Sequence, residues 1–431
     1  MTTASTVNCS IAQLPKVLAV ELEVRGHHAD YIRNFANTWI EREFPAHLEF
    51  LVTRPFLKYH TNIVDHFRHL SDKPVSLHVI SEEEQARLDL RPRLKYWNGW
   101  KLFCKYAEQL ESSYGLLMYS DYFQLPVCIG KKSPCPFSAI YFRPTFHYHT
   151  FLNFRPTLKQ RFVAWRKAML LGRFLKNPEL KELYCLDPEV VPYIRRTFTT
   201  EAEISHIADS FCMAPGSQHR ADALRRDLGI DSDRTVFCLL GVLDSRKGTR
   251  QLLQAVQHIN HEVGKQVCIL LLGYVPDHES VAIETLAKEM NGVSSVQVII
   301  RNQYIEATEV QHYYALSDVI LTTYQNHMGS SSALIRAALA KKPVLSSDFG
   351  LMGHLVRTRK LGHVCDSTSP PAIAAAIERI LACDLSRVTN SFECEKLVAE
   401  NSEQQLGHDL SRLVDLLPSV ATGITRRAVL Q

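Results

Sequence analysis

Short runs rich in β-branched and aromatic residues alternate with longer helical patterns along the whole of this 431-residue chain. Such an alternation is typical of parallel sheets whose strands are joined by crossover helices. The runs predicted as strands in the first half are 17–22, 48–53, 75–80, 115–120, 138–142 and 183–186. Those in the second half are 235–241, 267–273, 296–301, 318–323 and 344–347. The sequence therefore predicts an α/β protein with one doubly wound sheet in each half.

The length of the chain fits two domains, since one domain usually takes about 100 to 200 residues. Structure-breaking residues at 214–217 precede a short helical pattern that ends in a glycine, so we place the domain join near 205–215. The predicted domains are 11–205 and 206–385, followed by a helical segment, 386–431. Open sheets bind ligands at the carboxyl ends of their strands, which predicts a ligand-binding cleft between the two domains.

Composition narrows the class of protein. A hydrophobic share of 46% and a charged share of 22% are ordinary for a globular chain and exclude disorder, collagen or coiled coil as the main state. Eleven cysteines are scattered without a CxxC pair, which favours reduced thiols in a cytosolic protein. The first ten residues are polar and uncharged, unlike a signal peptide, and no apolar run reaches the roughly 18 residues of a membrane span. We therefore expect a cytoplasmic protein that does not cross a bilayer.

A basic turn bounded by glycines follows the first strand of the second half. Gly241 and Gly248 enclose Arg246 and Lys247, and a helical pattern begins at Thr249. A guanidinium binds phosphate oxygens in a bidentate way, and a helix N-terminus favours negative charge, so this turn suits a diphosphate. The alternative is a solvated basic turn in which the glycines only permit the shape.

A second anion-binding pattern precedes the strand 344–347. Four residues that open an alanine-rich helix offer backbone N–H groups and hydroxyls to an anion. They are Gly329, Ser330, Ser331 and Ser332. An ordinary serine N-cap explains one of these serines but not all three. A further glycine, Gly273, ends the strand 267–273.

The order of these motifs resembles the donor-binding domain of GT-B glycosyltransferases, in particular the glycosyl transferases group 1 family common in bacteria. The pattern is a strand, Gly-x-Leu-Asp-x-x-Lys-Gly, a helix, a strand ending in Gly, Ala-x-x-Asp-Val, an alanine-rich helix and Pro-Val. It covers about residues 224–385. The first half resembles the family's acceptor domain less closely, through the strand 17–22, the loop 24–28 and the helix after it.

The resemblance implies a GT-B fold, in which two Rossmann-like, doubly wound domains face each other across a cleft. By this resemblance 11–205 would bind the acceptor, 206–385 would bind a nucleotide-sugar donor, and 386–431 would pack at the domain join. Lys247 would contact the donor diphosphate with help from Arg246, and Asp318 would be mainly structural.

The implied reaction is that of a hexosyltransferase. A sugar would pass from a nucleotide-diphosphate donor to a hydroxyl of a glycan, a glycolipid or a lipid-linked saccharide, in polysaccharide or glycolipid biosynthesis. The nucleotide-sugar would be a co-substrate, with no other cofactor and no essential metal.

Three positions depart from the family pattern. Val242 stands where such enzymes usually carry an arginine, and Met328 and Arg336 stand at the places of two glutamates. Arginine cannot accept the hydrogen bonds that glutamate accepts from sugar hydroxyls. Either Arg336 and the residues 329–332 hold the donor through a different set of contacts, which we favour, or activity has been lost. The rival functions are a GT-B-like sugar-nucleotide epimerase and a catalytically silent scaffold or regulatory protein.

Loops after the strands of the first half are expected to face the cleft. The catalytic candidates among them are His27, His28 and Asp121. A histidine can act as a base near neutral pH. The carboxylate of Asp121 can orient that histidine, bind a sugar hydroxyl or simply cap a strand end. The residues predicted on the acceptor side are Gly26, Arg143 and His147.

The small net charge of +4 hides a strong asymmetry. Residues 122–178 contain ten cations and no acidic residue, whereas the rest of the chain has 39 Lys and Arg against 45 Asp and Glu. The ten are Lys131, Lys132, Arg143, Arg155, Lys159, Arg161, Arg166, Lys167, Arg173 and Lys176. The net charge argues against nucleic-acid binding.

The same basic segment carries an apolar stripe. Leu158, Phe162, Trp165 and Met169 fall on one helical face. A basic helix with aromatic anchors suits the headgroup layer of an anionic membrane, which predicts peripheral attachment at the inner face of a membrane. The alternative is that the stripe packs on the domain core and the cations only solvate it.

Overall fold

The computed structural model of the chain describes residues 14–24, 28–90, 94–151, 154–209 and 215–417. These residues form two compact units. The first unit takes in the described parts of Met1–Pro144, Phe162–Phe211 and Glu403–Gln431. The second takes in the described parts of Thr145–Arg161 and Cys212–Ser402.

Each unit has a parallel sheet of its own. The strands described for the first unit are β1 (Lys16–Glu21), β2 (His47–Val52), β3 (Val75–Val79), β4 (Tyr114–Leu117), β5 (Phe137–Tyr141), β6 (Leu180–Cys185) and β7 (Glu203–His206). Those of the second are β8 (Thr235–Leu240), β9 (Val267–Leu272), β10 (Gln297–Arg301), β11 (Val319–Thr322), β12 (Val344–Ser347) and β13 (Gly362–Cys365). The strand orders are β3-β2-β1-β4-β5-β6-β7 and β10-β9-β8-β11-β12-β13. Winding reverses between β1 and β4 and between β8 and β11, and ligands bind at such switch points.

Helices connect these strands. The first nine are α1 (His28–Glu41), α2 (Arg54–Tyr59), α3 (Thr61–Arg68), α4 (Glu82–Leu90), α5 (Lys95–Gln109), α6 (Gln124–Cys128), α7 (Leu158–Phe174), α8 (Val190–Thr197) and α9 (Gln218–Asp227). The others are α10 (Thr249–Ala255), α11 (His261–Gly264), α12 (Asp277–Val293), α13 (Ala307–Leu316), α14 (Ser332–Leu339), α15 (Gly350–Thr358), α16 (Pro370–Leu381), α17 (Ser391–Glu400) and α18 (Glu403–Asp415). Within the described residues, no helix is both long and apolar enough to span a membrane.

The predicted α/β class with two doubly wound sheets is confirmed. Every predicted run overlaps a strand, because a parallel strand covered on both faces needs a nearly continuous apolar sequence. All six residues of β9, for example, are buried. The sequence prediction misses β7 and β13, which are edge strands of four residues and have no such run.

The last described helix belongs to the first unit. Leu406, Leu410 and Leu413 of α18 lie on one helical face and join the same buried cluster as Trp39 of α1. Among the described cysteines all are free thiols, and most are buried.

A close approach between β8 and β9 requires glycine at Gly273. Its φ is +130°, and a Cβ there would lie 1.9 Å from the carbonyl oxygen of Gly241. Gly273→Ala is therefore expected to lower the free energy of unfolding by about 3 kcal/mol, because the cost of the strained backbone adds to that of the steric clash. Urea unfolding measures this loss. The matched control is Gly229→Ala, where φ is +66° but no atom lies within 4 Å, so only about 1 kcal/mol of backbone strain is expected. Equal losses in both variants would contradict the clash.

Candidate functional site

The basic turn of the second unit begins where β8 ends. The Asp244 carboxylate accepts a hydrogen bond from the Lys247 backbone N–H at 3.0 Å and so caps a single 3-10 turn over Ser245–Lys247. Gly248 then takes a left-handed φ of 75°, and a Cβ there would lie 2.4 Å from the carbonyl oxygen of Thr323. The sequence therefore fixes the turn at both ends before α10 begins.

Lys247 is buried, unlike the side chain of a solvated basic turn. Its side chain is 7% exposed, and Nζ donates to the Leu240 carbonyl oxygen at 2.5 Å and to the Tyr324 hydroxyl at 2.9 Å. Burying an ammonium is costly unless it is hydrogen-bonded, and these two acceptors supply that. Arg246 is exposed, and its guanidinium lies 5.5 Å from the centre of the Tyr324 ring. The turn thus presents one fixed and one accessible cation.

Tyr324 connects the two predicted anion-binding segments. It lies just beyond β11, and its hydroxyl is 2.9 Å from Lys247 Nζ and 3.3 Å from Ser331 Oγ. Burial on its own would raise the pKa of the phenol, but the charge and hydrogen bond of Lys247, aided by Ser331, hold that pKa below its ordinary value. The sequence prediction did not include Tyr324. Its place at the carboxyl end of a central strand is the signal that could have identified it.

The glycine-serine segment opens α14. Ser331 is the N-cap and accepts a hydrogen bond from the Ala333 backbone N–H at 3.3 Å. Gly329 and Ser330 precede this cap, Ser332 is the first residue of α14, and the His327 ring nitrogen Nε2 lies 3.1 Å from the carbonyl oxygen of Ser330. One serine of the three is therefore an ordinary cap that also contacts Tyr324.

The remaining predicted donor residues lie at strand ends or on α14. A Cβ on Gly241 would lie 2.6 Å from Lys247 Nζ, so Gly241 leaves room for the ammonium, while Gly273 packs directly on Gly241. Arg336 lies in the middle of α14, and its carbonyl oxygen accepts from Gln311 Nε2 at 3.1 Å. Asp318 accepts a hydrogen bond from the Val236 backbone N–H at 2.8 Å, a contact that ties β11 to β8.

In the first unit His28 is paired with a buried glutamate. Its Nδ1 lies 2.8 Å from Glu21 Oε2 at the end of β1, and its ring stacks on Phe142 at 5.2 Å. Burial lowers the pKa of this histidine, but the charges of Glu21 and Glu23 outweigh it, so that the pKa lies above its ordinary value. Gly26 and His27 lie outside the described residues.

The two glutamates were missed by sequence reasoning. Glu21 is almost fully buried, and Glu23 accepts a hydrogen bond from the Tyr122 hydroxyl and lies 3.8 Å from Lys95 Nζ. Two acidic residues directly at the end of an apolar strand were the available signal, since a carboxylate in that place needs a partner.

Asp121 lies on the turn after β4, across the switch point from β1. Burial raises the pKa of its carboxyl group, and the charges of Lys167 and Arg143 oppose that shift. Lys167 is itself half-buried, which lowers the pKa of its ammonium, and its Nζ donates to the Arg143 carbonyl oxygen at 2.9 Å. Asp121 therefore lies close enough to Arg143 and Lys167 to interact with their charges.

His147 does not join this group. It lies in Thr145–Arg161, which belongs to the second unit, and it is buried among aromatic rings, 5.2 Å from that of Phe151. Phe151 in turn stacks on His354 of α15 at 4.1 Å. This aromatic packing, which a one-dimensional pattern does not disclose, assigns the segment to the second unit.

The part of the chain that the structure describes contains no group of three or more His, Cys, Asp or Glu side chains that could hold a metal ion.

Comparison with known families identifies the second unit. Residues 221–393 match the family model of the glycosyl transferases group 1. This part of the chain is a group 1 glycosyl transferase domain. The resemblance predicted for residues 224–385 is confirmed. Among curated proteins, the D-inositol 3-phosphate glycosyltransferase of Corynebacterium urealyticum is 25% identical over 217 residues. That match spans 49% of this chain and 50% of the relative, so the chain matches about half of the relative's length.

Solved structures extend the likeness beyond the group 1 domain. Anabaena HepE, in complex with UDP and glucose, is 14% identical with a TM-score of 0.62, over 93% of this chain and 99% of its own. Sucrose-phosphate synthase from Thermosynechococcus elongatus is 17% identical with a TM-score of 0.63, over 94% and 99%. WaaG, a glycosyltransferase of lipopolysaccharide biosynthesis, is 12% identical with a TM-score of 0.56. At such identities the likeness shows the fold, and the predicted GT-B fold is confirmed.

Proposed function

We propose that this chain is a nucleotide-sugar-dependent glycosyltransferase of the hexosyltransferase type. The observation that carries the proposal is the buried contact chain from Lys247 through Tyr324 to Ser331, at the switch point of a group 1 glycosyl transferase domain. Tyr324 lies two residues beyond β11, and Lys247 lies seven residues beyond β8. Both are thus held at the edge of the sheet where open α/β sheets bind ligands.

In the proposed reaction the bond between the sugar's anomeric carbon and the diphosphate breaks, and the acceptor oxygen takes its place. Negative charge then develops on the leaving diphosphate. Lys247 is held in position to stabilise that negative charge, and the exposed guanidinium of Arg246 is free to bind the same phosphate oxygens. The backbone N–H groups and hydroxyls at Gly329–Ser332 add donors, and we propose that Arg336 contributes in place of the family's glutamate.

For the first unit we propose acceptor binding. Glu21 orients His28 through Nδ1, which leaves Nε2 for the acceptor hydroxyl, so His28 is the proposed base. Because Glu21 rather than Asp121 holds this histidine, we assign Asp121 and Arg143 to sugar hydroxyls of the acceptor. The acceptor class is a glycan, a glycolipid or a lipid-linked saccharide. The place of action is the cytoplasm, in polysaccharide or glycolipid biosynthesis.

The test is a panel of UDP-, GDP- and ADP-sugars assayed for release of nucleoside diphosphate. UDP and UDP-glucose come first, because HepE is a structural relative that was crystallised with both. Turnover that depends on an added acceptor supports the transferase. Sugar interconversion without release of diphosphate would identify an epimerase. Donor binding without turnover would identify a catalytically silent protein. Of the two alternatives, the silent protein fits Met328 and Arg336 better than the epimerase does, because both residues stand in the places of glutamates.

Replacing Tyr324 with phenylalanine tests the connection within the donor site. The variant removes one hydrogen bond from Lys247 and one contact from Ser331. A hydrogen bond to a charged group contributes about 1.5 to 3 kcal/mol, so the donor Kd is expected to rise by about tenfold or more. Isothermal titration with UDP measures it, and Tyr304→Phe, at an exposed tyrosine of the same unit, is the control. An unchanged Kd in Tyr324→Phe would show that the Tyr324 hydroxyl does not contribute to donor binding.

A further inference from the structure

Helix α7 presents large apolar side chains to solvent. Leu158 is 83% exposed, Phe162 61%, Trp165 59% and Met169 38%. Their spacings of four, three and four residues place them on one line along the helix. Since all four are exposed, the alternative in which this stripe packs on the domain core is wrong.

The C-terminal end of α7 is anchored by the face opposite the stripe, and the earlier residues of that face, such as Val163 and Lys167, are half-buried. Leu171 and Phe174 are buried, and the Phe174 ring lies 6.2 Å from that of Phe137 in β5. Lys167, also on this inner side, donates to the Arg143 carbonyl oxygen. The fold therefore fixes which face of α7 is accessible.

Cations flank the stripe on both sides. At 100° per residue, Arg161 lies about 70° to one side of the stripe and Arg166 about 70° to the other. Both are exposed, and the whole of 122–178 lacks an acidic residue. Apolar and aromatic side chains with a cation on each side match the layering of an anionic bilayer, in which acyl chains lie beneath phosphates.

We propose that α7 is a docking surface for an anionic lipid bilayer. Phe162, Trp165 and Met169 enter the headgroup layer, and Arg161 and Arg166 contact lipid phosphates. A second copy of the chain fits less well, because a symmetric contact through this face would bring the same cations together and they would repel. The inference goes beyond the proposed transfer reaction, and it is testable without donor or acceptor.

The experiment is co-sedimentation of the full chain with vesicles of phosphatidylcholine and phosphatidylglycerol, compared with phosphatidylcholine alone. The protein is expected to pellet only with the anionic vesicles. Arg161→Glu/Arg166→Glu is expected to weaken binding by about tenfold or more, and Phe162→Ser/Trp165→Ser is expected to weaken it similarly. The matched control is Lys288→Glu/Lys396→Glu, which reverses two exposed cations on α12 and α17.

Tryptophan fluorescence gives a second measurement. Trp39 and Trp100 are buried, Trp97 is half-buried and Trp165 is exposed, so a blue shift on addition of anionic vesicles is expected to come mainly from Trp165. Trp165→Phe is expected to keep the binding and lose the shift. Absence of the wild-type protein from the pellet, or equal loss in the Lys288/Lys396 control, would overturn the proposal. So would a solution dimer, seen by analytical ultracentrifugation without vesicles, that Phe162→Ser/Trp165→Ser dissociates.

Discussion

Replacing Lys247 with methionine is expected to lower the rate of nucleoside diphosphate release by about 10²- to 10³-fold, the usual loss when one preorganised group that stabilises developing charge is removed. Methionine keeps much of the length of the side chain and removes its charge together with its hydrogen bonds to Leu240 and Tyr324. The cavity is tight, since a Cβ on Gly241 would already lie 2.6 Å from Lys247 Nζ. The larger guanidinium of Lys247→Arg is therefore not expected to rescue activity.

The control for this prediction is Lys288→Met, which removes an exposed cation from α12. Circular dichroism and thermal unfolding establish that both variants are folded. Thermal stabilisation by UDP is expected to fall in Lys247→Met and to persist in Lys288→Met, because at a fixed ligand concentration a ligand that binds the folded state more weakly raises its stability less. Full turnover in a folded Lys247→Met protein would exclude the basic turn as the diphosphate site.

Activity that depends on His28 is expected to rise with pH through a pKa above the ordinary value of 6.5 for histidine, because a base must be unprotonated and Glu21 stabilises the protonated ring. Glu21→Gln removes that negative charge, so the rise is expected to move to lower pH. His28→Ala is expected to lower kcat by about 10²- to 10⁴-fold. The pH profile of kcat/KM measures the shift in Glu21→Gln, and steady-state kinetics measures the loss of kcat in His28→Ala.

The same ion pair makes a pH-dependent contribution to stability. A raised pKa in the folded state means that the stabilisation is complete below the unfolded pKa and is lost as the pH rises through the folded one. Glu21→Gln is thus expected to destabilise the protein more at acidic than at alkaline pH. His69→Ala, at an exposed histidine after α3, serves as the control and is expected to change neither activity nor this profile. If the pH profile of kcat/KM of Glu21→Gln is identical to that of the wild type, His28 is not the catalytic base.

The proposed donor site illustrates how much of a site can be predicted from sequence. Arg246, Lys247 and the residues 329–332 could be chosen because glycines and cations at strand ends form a local pattern. Tyr324 could not be chosen in this way, because it lies 77 residues from Lys247 and is joined to it only by the pairing of β8 with β11. A hydrogen bond over such a separation leaves no periodic signature.

In the first unit, too, the contacts between distant residues could not be predicted from sequence. His28 and Asp121 were chosen from their places after strands, whereas Glu21 and Glu23, although they stand at a strand end, and Lys167 were not chosen. These three are charged side chains whose burial depends on the packing around them. His147 was expected beside Arg143, only four residues earlier, yet aromatic contacts with Phe151 place it in the second unit.

The sequence by itself determined the α/β class, the position of each central strand and the two basic features, the turn at 246–247 and the segment 122–178. It could do so because a strand buried on both faces must be apolar along its length, and because charge is a property of composition. Only the tertiary structure decided which side chains meet and which face of α7 is exposed. The physical reason is that a helical pattern marks a stripe, whereas the contacts made by the opposite face decide whether that stripe turns inward or outward.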